Sequence, residues 1–490
     1  MNSNPFVVLF KHSLIYGIGR VLVSLTAFIL MPIFTNPKFL SVEAYGIWQI
    51  LNITLTILVV VLSMGMTTTL FRFYYDTKEA NARNSISNTI FWLLLISSAL
   101  FVILTAFLIQ PYILPWLQID DSIREYLIWI VMIAALQVVS IVPLNILRAE
   151  EKPWMYVFFQ IAQFVLLLTS LVFFIVYLKW QLEGMIYGYA CAFLGNLLLL
   201  LFSYRRNITF QIDFSILRKI LQFGLPLIVL QLGGWILSVF DRYLVGYQLG
   251  YADAAVYGVG YQFGMVVNLA VIMPFSVAWG PFLFKVFRQP DARTVYSKTL
   301  NYITFIALYV AFLIATFSKE ILFLFTKSPE YLEAQGIIAM VAFAYVFYGM
   351  YYVFTTGLNV TNKTFYFPYI ILSVSVFNIV ANYLLIPFFN ITAPAIITIA
   401  SYAMLAFLTF YYSQKFYRIS FEFKRITILL LVFIAFGFIG YYWKYENSYI
   451  FFTVKFLTVF LPFVILYLFN FFKAEELHFI KHRVLKLFYG

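Results

Sequence analysis

The sequence predicts an all-α integral membrane protein with about 14 transmembrane helices, and two observations lead to that prediction. The first is composition: 63% of the 490 residues are hydrophobic and only 11% are charged, with 57 phenylalanines and 37 tyrosines. A soluble fold has too little interior to hide so much apolar surface from water. The second is a series of apolar runs of about 20 residues, each long enough to cross a hydrocarbon core of roughly 30 Å.

Fourteen such runs follow one another along the chain, and the connections between them are too short for a soluble domain. Their approximate cores are 13–34, 46–71, 87–110, 126–147, 155–178, 182–203, 222–249, 255–281, 300–325, 336–360, 366–388, 392–413, 426–443 and 449–471. The first run is too long for a signal peptide and lacks a small-residue cleavage site, so we expect it to stay in the protein. A single cysteine, Cys191, excludes a disulfide framework and a thiolate metal site. We expect neither a metal nor a cofactor.

Basic residues are unevenly distributed between two sets of loops. If the N-terminus is cytoplasmic, the termini and the even-numbered loops hold 23 Lys and Arg, whereas the odd-numbered loops hold six. Acidic residues divide evenly between the two sets. This asymmetry is the one that orients membrane proteins, so the net charge of +12 does not indicate nucleic-acid binding. We predict a multi-pass protein of the inner (cytoplasmic) membrane with both termini in the cytoplasm.

Spans one to six and seven to twelve repeat each other at an offset of 212 residues. Tyr45-Gly46 of the second span aligns with Tyr257-Gly258 of the eighth, and polar residues follow at helical spacing in both. An even number of spans per repeat gives both copies the same orientation, related by an axis along the membrane normal. The predicted organisation is an N-lobe at 1–206, a C-lobe at 207–415, two appended spans at 416–472 and a basic amphipathic cytoplasmic tail at 473–490.

The seventh span carries two adjacent charges far from its ends, Asp241 and Arg242. A charge at the bilayer centre costs roughly 2.5 to 3.5 kcal/mol on insertion scales, so such side chains face a bundle interior or water. Gln231 and Ser238 lie on the same ridge as Arg242, which predicts a helix that lines a cavity. Two interpretations of Arg242 are open, substrate contact or an internal ion pair. Asp241 either couples transport to a proton or sodium gradient or holds an arginine in place.

Residues of three other spans are candidates for the same cavity. Arg20 lies on a polar stripe of the first span, although its stem could also reach the inner headgroups. Gln49 and Asn52 of the second span and Tyr261 and Asn268 of the eighth follow helical spacing in the two repeats. The alternative role for these four is hydrogen bonding between helices, worth roughly 0.6 kcal/mol on average in membranes.

Two other charged residues within or at the end of a span are expected to be peripheral. Glu183 is predicted to lie at the interface, one turn after Lys179. Lys455, on the last span, is expected to extend its amine towards the headgroups.

The chain has a family resemblance that covers essentially its whole length and rests on two stretches. They are KHSLIYGIGRVLVSLTAFILMPIFTNPKFLSVEAYGIWQI, from Lys11 to Ile50, and FDRYLVGYQLGYADAAVYGVGYQ, from Phe240 to Gln262. In both, a span leads through a short loop to a Tyr-Gly pair. In this pattern the chain resembles polysaccharide-unit flippases of the O-antigen and capsule type. That family lies in the multidrug/oligosaccharidyl-lipid/polysaccharide exporter superfamily, which has the MATE-like fold.

The resemblance implies a function in surface polysaccharide biosynthesis, such as that of the lipopolysaccharide O-antigen. Two six-helix lobes would form a V around a central cavity and carry a polyprenyl-diphosphate-linked oligosaccharide from the inner to the outer leaflet by alternating access. Arg20 and Arg242 would meet the diphosphate. Independently of the resemblance, the polar faces of the second and eighth spans could supply hydrogen bonds and stacking surfaces for sugar rings. The implied partners are the lipid-linked oligosaccharide, membrane lipids and other polysaccharide-assembly proteins, with no nucleic acid.

Three other classes of protein make different demands on the loops and on the charges within the spans. An enzyme such as a membrane glycosyltransferase or polymerase needs a catalytic site in a sizeable loop, and no outer loop is long enough, so we do not expect an enzyme. A cation-coupled multidrug exporter of the same fold would be expected to present acids to its cavity, and Arg20 and Arg242 weigh against it. A flippase for the peptidoglycan precursor, also a diphosphate lipid, satisfies the same argument and remains an alternative.

Overall fold

The computed structural model describes Val23 and residues 25–116, 121–442 and 448–469. These residues form helices and connecting loops, with no β-strand among them. Eleven helices in this part of the chain are long and apolar enough to cross a membrane. The all-α membrane fold is therefore confirmed, while the count of fourteen spans stays a prediction. Arg20 and the predicted tail at 473–490 lie outside the described residues.

The α-helices of the described residues are numbered here in chain order. They are α1 (Met31–Phe34), α2 (Val42–Leu62), α3 (Met66–Asp76), α4 (Ala80–Leu104), α5 (Leu114–Trp116), α6 (Asp121–Arg124), α7 (Leu127–Ala149), α8 (Pro153–Leu171), α9 (Gln181–Tyr204), α10 (Phe214–Gln248), α11 (Tyr251–Gly264), α12 (Met273–Phe287), α13 (Ala292–Thr316), α14 (Ser318–Phe325), α15 (Gln335–Phe354), α16 (Thr356–Val360), α17 (Tyr366–Phe389), α18 (Thr392–Phe416), α19 (Phe423–Tyr442) and α20 (Ser448–Leu468). Three π-helical segments, Thr105–Ile113, Val172–Tyr177 and Asn268–Ile272, continue α4 and α8 and precede α12, and Pro329–Ala334 is a 3₁₀-helix.

The chain divides into two compact units. Unit 1 contains the described residues up to Val259 together with Phe323–Ala334 and Phe365–Ser401. Unit 2 contains Gly260–Leu322, Gln335–Thr364 and the described residues from Tyr402 onwards. The predicted boundaries of the two lobes and of the appended segments stay predictions.

In unit 1, α10 packs against α2, α3 and α17. The junction between α2 and α3 is a sharp turn in which Gly65 has a φ of 69°, a conformation that favours glycine. A Cβ atom on Gly65 would stand 2.5 Å from the carbonyl oxygen of Gly224, and one on Gly224 would stand 2.5 Å from the carbonyl oxygen of Met64. The backbones of this turn and of α10 therefore touch, and side chains at either glycine would separate them.

The Tyr-Gly pair that occurs in both repeats is a packing feature. The side chains of Tyr45 and Tyr257 are buried, with 3% and 0% of their surface exposed. Gly46 lies against the backbone carbonyl of Tyr251, at the start of α11. A Cβ atom on Gly258 would stand 2.9 Å from Cδ of Gln49. The two repeated pairs thus bring α2 and α11 together.

In unit 2, α13 packs against α15 and α19, and polar contacts join both appended helices to this unit. The Asn301 amide of α13 donates to Oε2 of Glu422, just before α19, at 2.7 Å. Nζ of Lys455 in α20 lies 2.6 Å and 2.8 Å from the two carboxylate oxygens of Glu320 in α14.

The expectation that Lys455 reaches the headgroups is therefore wrong. Its side chain is 5% exposed, because a carboxylate on α14 satisfies its charge inside the unit. Glu183 also has a partner, since the Tyr126 hydroxyl donates to its Oε1 at 2.7 Å. Burial and this hydrogen bond raise the pKa of Tyr126, which precedes α7.

Candidate functional site

The site is built around a buried carboxylate in the C-terminal third of α10. Asp241 is only 2% exposed, and both of its oxygens accept hydrogen bonds. The Tyr257 hydroxyl of α11 donates to Oδ2 at 2.6 Å, and the backbone N–H of Arg242 donates to Oδ1 at 2.8 Å. Thr398 of α18, 1% exposed, interacts with both Asp241 and Tyr257. Since a buried charge needs such partners, these contacts hold the carboxylate in a defined orientation.

Arg242 lies at the edge of this group and is half-buried. Its charge interacts electrostatically with Asp241, Tyr257 and Tyr45. The adjacent acid and cation of α10 are therefore coupled to each other within unit 1, although neighbouring helix positions point about 100° apart. Asp241 is buried in unit 1 and does not face lipid, whereas the same expectation for Arg242 stays a prediction.

A second polar side chain reaches the same group from α2. Gln49 is 8% exposed, lies one helical turn after Tyr45 and packs against Gly258. Five side chains therefore form one polar cluster in unit 1, which we call the charged centre. They are Tyr45, Gln49, Asp241, Arg242 and Tyr257.

The remaining predicted residues of α2 and α10 are neither fully buried nor fully exposed. Asn52, Gln231 and Ser238 are half-buried, and the Ser238 hydroxyl donates to the backbone carbonyl of Gly234 within α10. Nearby, Nε1 of Trp235 donates to the Thr56 hydroxyl at 2.8 Å, which ties α10 to α2. A helix-to-helix hydrogen bond of the kind considered as an alternative role is thus present beside the charged centre.

Tyr261 and Asn268 belong to unit 2. Tyr261 is fully buried, and its hydroxyl lies 3.2 Å from that of Tyr345 and 3.5 Å from that of Tyr402. Asn268 is half-buried at the start of the π-helical segment before α12. Substrate contact by these two residues stays a prediction, as it does for Arg20, which lies outside the described residues.

Sequence reasoning missed three members or neighbours of the charged centre. Tyr45 and Tyr257 could be recognised as a repeated pair, but the pattern did not show that the Tyr257 hydroxyl donates a hydrogen bond to the Asp241 carboxylate. Thr398 lies in an apolar run with no signal of its own. Within the described part of the chain, no group of three or more His, Cys, Asp or Glu could hold a metal ion.

Charges inside an apolar span seldom face lipid, and in membrane transporters such charges mark substrate or ion paths. Solved structures support the fold. The lipid II flippase MurJ in an inward closed conformation has a TM-score of 0.73, with 15% identity over 92% of this chain and 97% of that one. An inward-facing multidrug resistance MATE transporter of the MOP superfamily has a TM-score of 0.64, with 15% identity over 84% and 95%.

Sequence comparison gives the family. The model described as polysaccharide biosynthesis protein matches residues 9–287, more than half of the chain, and the MatE model matches 226–384. The chain belongs to the polysaccharide biosynthesis protein family. A protein of the Lsg locus of Haemophilus influenzae is 25% identical over 289 residues, 57% of this chain and 67% of that protein. The resemblance to polysaccharide flippases of the MOP superfamily is thereby confirmed, and both the family and the structural neighbours are transporters.

Proposed function

We propose that this protein moves a polyprenyl-diphosphate-linked oligosaccharide from the inner to the outer leaflet of the cytoplasmic membrane by alternating access. The observation that carries the proposal is an acid and a cation, Asp241 and Arg242, whose charges interact in the charged centre of a chain of the polysaccharide biosynthesis family. A guanidinium presents a planar fork of donors that suits diphosphate oxygens. The low dielectric of a membrane interior strengthens that attraction.

Asp241 has a defined part in this mechanism. The Tyr257 hydroxyl and the Arg242 N–H hold its carboxylate beside the cation, so Arg242 keeps a counter-charge when no substrate is bound. A bound diphosphate would bring a stronger anion to the guanidinium. Release would then return Arg242 to its resting partner rather than leave an uncompensated buried charge. We further propose that protonation of Asp241, or sodium binding to it, couples this exchange to an ion gradient.

The most direct test compares cells with and without the gene. Loss of the protein should cause lipid-linked oligosaccharide to accumulate while surface polysaccharide disappears, both measured by mass spectrometry of extracted lipids and by staining of the surface polymer. Unchanged lipid-linked sugars in the deletion strain would contradict the proposal.

A series at Arg242 tests the role of the cation. Arg242→Ala should abolish surface polysaccharide while membrane abundance stays within about twofold of the natural protein, because Asp241 keeps its hydrogen bonds from the Tyr257 hydroxyl and from the backbone N–H of residue 242. Arg242→Lys should keep part of the activity, because the charge survives and the fork does not. Membrane abundance is measured by immunoblot beside the polysaccharide.

The double replacement Asp241→Asn with Arg242→Gln separates diphosphate binding from a purely structural pair. If the two charges only support each other, the double variant recovers folding and export together. We expect the double variant to keep the membrane abundance of the Arg242→Ala variant and still to make no polysaccharide. Restored polysaccharide in the double variant would rule out Arg242 as a diphosphate ligand.

A second candidate, a flippase for the peptidoglycan precursor, is favoured by the fold shared with lipid II flippase MurJ over 92% of this chain. It predicts that the gene supports growth of cells depleted of their own peptidoglycan-precursor flippase. The MatE match to 226–384 similarly supports a cation-coupled multidrug exporter, which predicts raised drug sensitivity in the deletion strain. Our proposal predicts neither outcome.

A further inference from the structure

Unit 2 contains a cluster of six tyrosines that the charged centre does not explain. They are Tyr261 of α11, Tyr345, Tyr348, Tyr351 and Tyr352 of α15, and Tyr402 of α18. We propose that Tyr348, Tyr351 and Tyr352 form a platform that binds sugar rings of the lipid-linked substrate. The inference rests on the proposed function and extends it to the carbohydrate part of the substrate.

The cluster has a buried layer and an accessible layer. Tyr261, Tyr345 and Tyr402 are 0%, 3% and 3% exposed, and their hydroxyls lie close to one another. The Tyr348 ring packs on this layer, 5.0 Å from the Tyr402 centroid and 6.0 Å from that of Tyr345. The buried layer therefore fixes the position of Tyr348, and with it the surface that Tyr348 presents.

The accessible layer is a connected aromatic surface. Tyr348, Tyr351 and Tyr352 are each half-buried. The rings of Tyr348 and Tyr351 are stacked, 5.8 Å apart with an interplanar angle of 17°, and Tyr352 meets both at 5.3 Å and 5.4 Å. The hydroxyls of Tyr348 and Tyr352 lie 3.4 Å apart. Among the described residues no hydrogen bond to the Tyr351 hydroxyl occurs, and the residue is only half-buried.

The depth of these residues argues that their accessible side faces a polar space. Tyr348 and Tyr352 lie twelve and eight residues before Val360, the last residue of an apolar span that begins at Pro329. At 1.5 Å per residue these separations are about 18 and 12 Å, so the tyrosines lie inside the span and not at its end. Tyrosines that face lipid concentrate at the interfaces, not at this depth. A hydroxyl with spare hydrogen-bonding capacity is costly in hydrocarbon, so three of them together favour a wet crevice.

The residue types along α15 point to carbohydrate rather than to an apolar chain. The partly exposed side of the helix changes from Met340, Phe343 and Phe347 to Tyr348, Tyr351 and Tyr352. Hydrocarbon would be served equally well by phenylalanine throughout. Sugar rings present apolar C–H faces that stack on aromatic rings and hydroxyl edges that bond to phenol groups, and tyrosine supplies both.

The test uses the purified full-length protein and two probes, lipid-linked oligosaccharide extracted from cells that lack the protein and undecaprenyl diphosphate without sugar. Affinities are measured by titration with native mass spectrometry. Tyr351→Leu with Tyr352→Leu should weaken binding of the sugar-bearing probe about tenfold. Tyr351→Phe, which keeps the ring and loses the hydroxyl, should weaken it about threefold. Binding of undecaprenyl diphosphate should stay within about twofold.

Tyr467→Leu is the matched control, because Tyr467 of α20 is 61% exposed in the same unit. It should leave both affinities and thermal stability unchanged. Equal weakening of both probes by the Tyr351 and Tyr352 variants would show an apolar-chain site and overturn the sugar inference alone, as would the absence of any change. If the natural protein bound neither probe, the proposed function would fall together with the inference.

Discussion

At the scale of single residues, glycines set how closely the helices of unit 1 approach. Gly46 lies against the backbone carbonyl of Tyr251, and backbone atoms cannot move aside as a flexible side chain can. Gly234, in contrast, has no atom within 4 Å of the place where a Cβ would stand. The two positions therefore form a natural pair for comparison.

We expect Gly46→Ala to lower the stability of the purified protein by about 3 kcal/mol or more, because overpacking against a fixed backbone displaces α2 from α11. Membrane abundance and polysaccharide export should fall together. Gly234→Ala should be tolerated or slightly stabilising, since alanine is the better helix former by about 0.5 to 1 kcal/mol. Thermal unfolding in detergent measures both variants, and an unfolding temperature for Gly46→Ala equal to that of the natural protein would contradict this packing account.

At the scale of helices, two polar contacts join the appended α19 and α20 to the rest of unit 2. The Lys455–Glu320 pair differs from a surface ion pair because Lys455 is 5% exposed. Removing one member of a buried pair leaves the other without compensation, whereas removing both can be nearly neutral. Lys455 is the less exposed member, so removing its partner Glu320 should destabilise the protein more than removing Lys455.

We therefore expect Glu320→Gln to destabilise the protein by about 3 to 5 kcal/mol and Lys455→Met to cost less, since Glu320 is 24% exposed and partly solvated. The double variant should regain most of the loss. Asp121→Asn is the control, because its partner Arg124 forms a pair whose acid is 82% exposed, worth about 0 to 1 kcal/mol. Equal losses for the double variant and Glu320→Gln, read from thermal unfolding, would argue against a pairwise interaction.

At the scale of the whole molecule, orientation in the membrane is the property to be tested. The 23 to six division of basic residues predicts that the loop containing Asp121 is external and the loop containing Arg206 is cytoplasmic. After Cys191, which is exposed, is replaced by serine, single cysteines can be placed at these two positions. Asp121→Cys should react with an impermeant thiol reagent in intact cells.

Arg206→Cys should react only after the cells are permeabilised. Both variants are compared with the cysteine-free protein, which sets the background. Labelling of Arg206→Cys in intact cells, with protection of Asp121→Cys, would invert the topology and the direction of transport that we propose.

The sequence by itself determined the membrane character, most of the helices and the position of the unusual charges. These properties are local: bilayer thickness sets the length of an apolar run, and the cost of a charge in lipid makes Asp241 and Arg242 conspicuous without any structure. The repeated Tyr45-Gly46 and Tyr257-Gly258 pairs were likewise readable, because they recur at a constant offset.

The tertiary structure alone decided which residues meet. The bond from Tyr257 to Asp241 joins α11 to α10, the Lys455–Glu320 pair joins α20 to α14, and the tyrosine cluster draws on three helices. The sequence showed that Lys455 is a charge within a span, but it did not show that the distant carboxylate of Glu320 is its partner. Because the apolar spans have similar compositions, the sequence does not show which helices are neighbours. The contacts between helices depend on how the bundle packs, and small residues and a few polar contacts determine that packing.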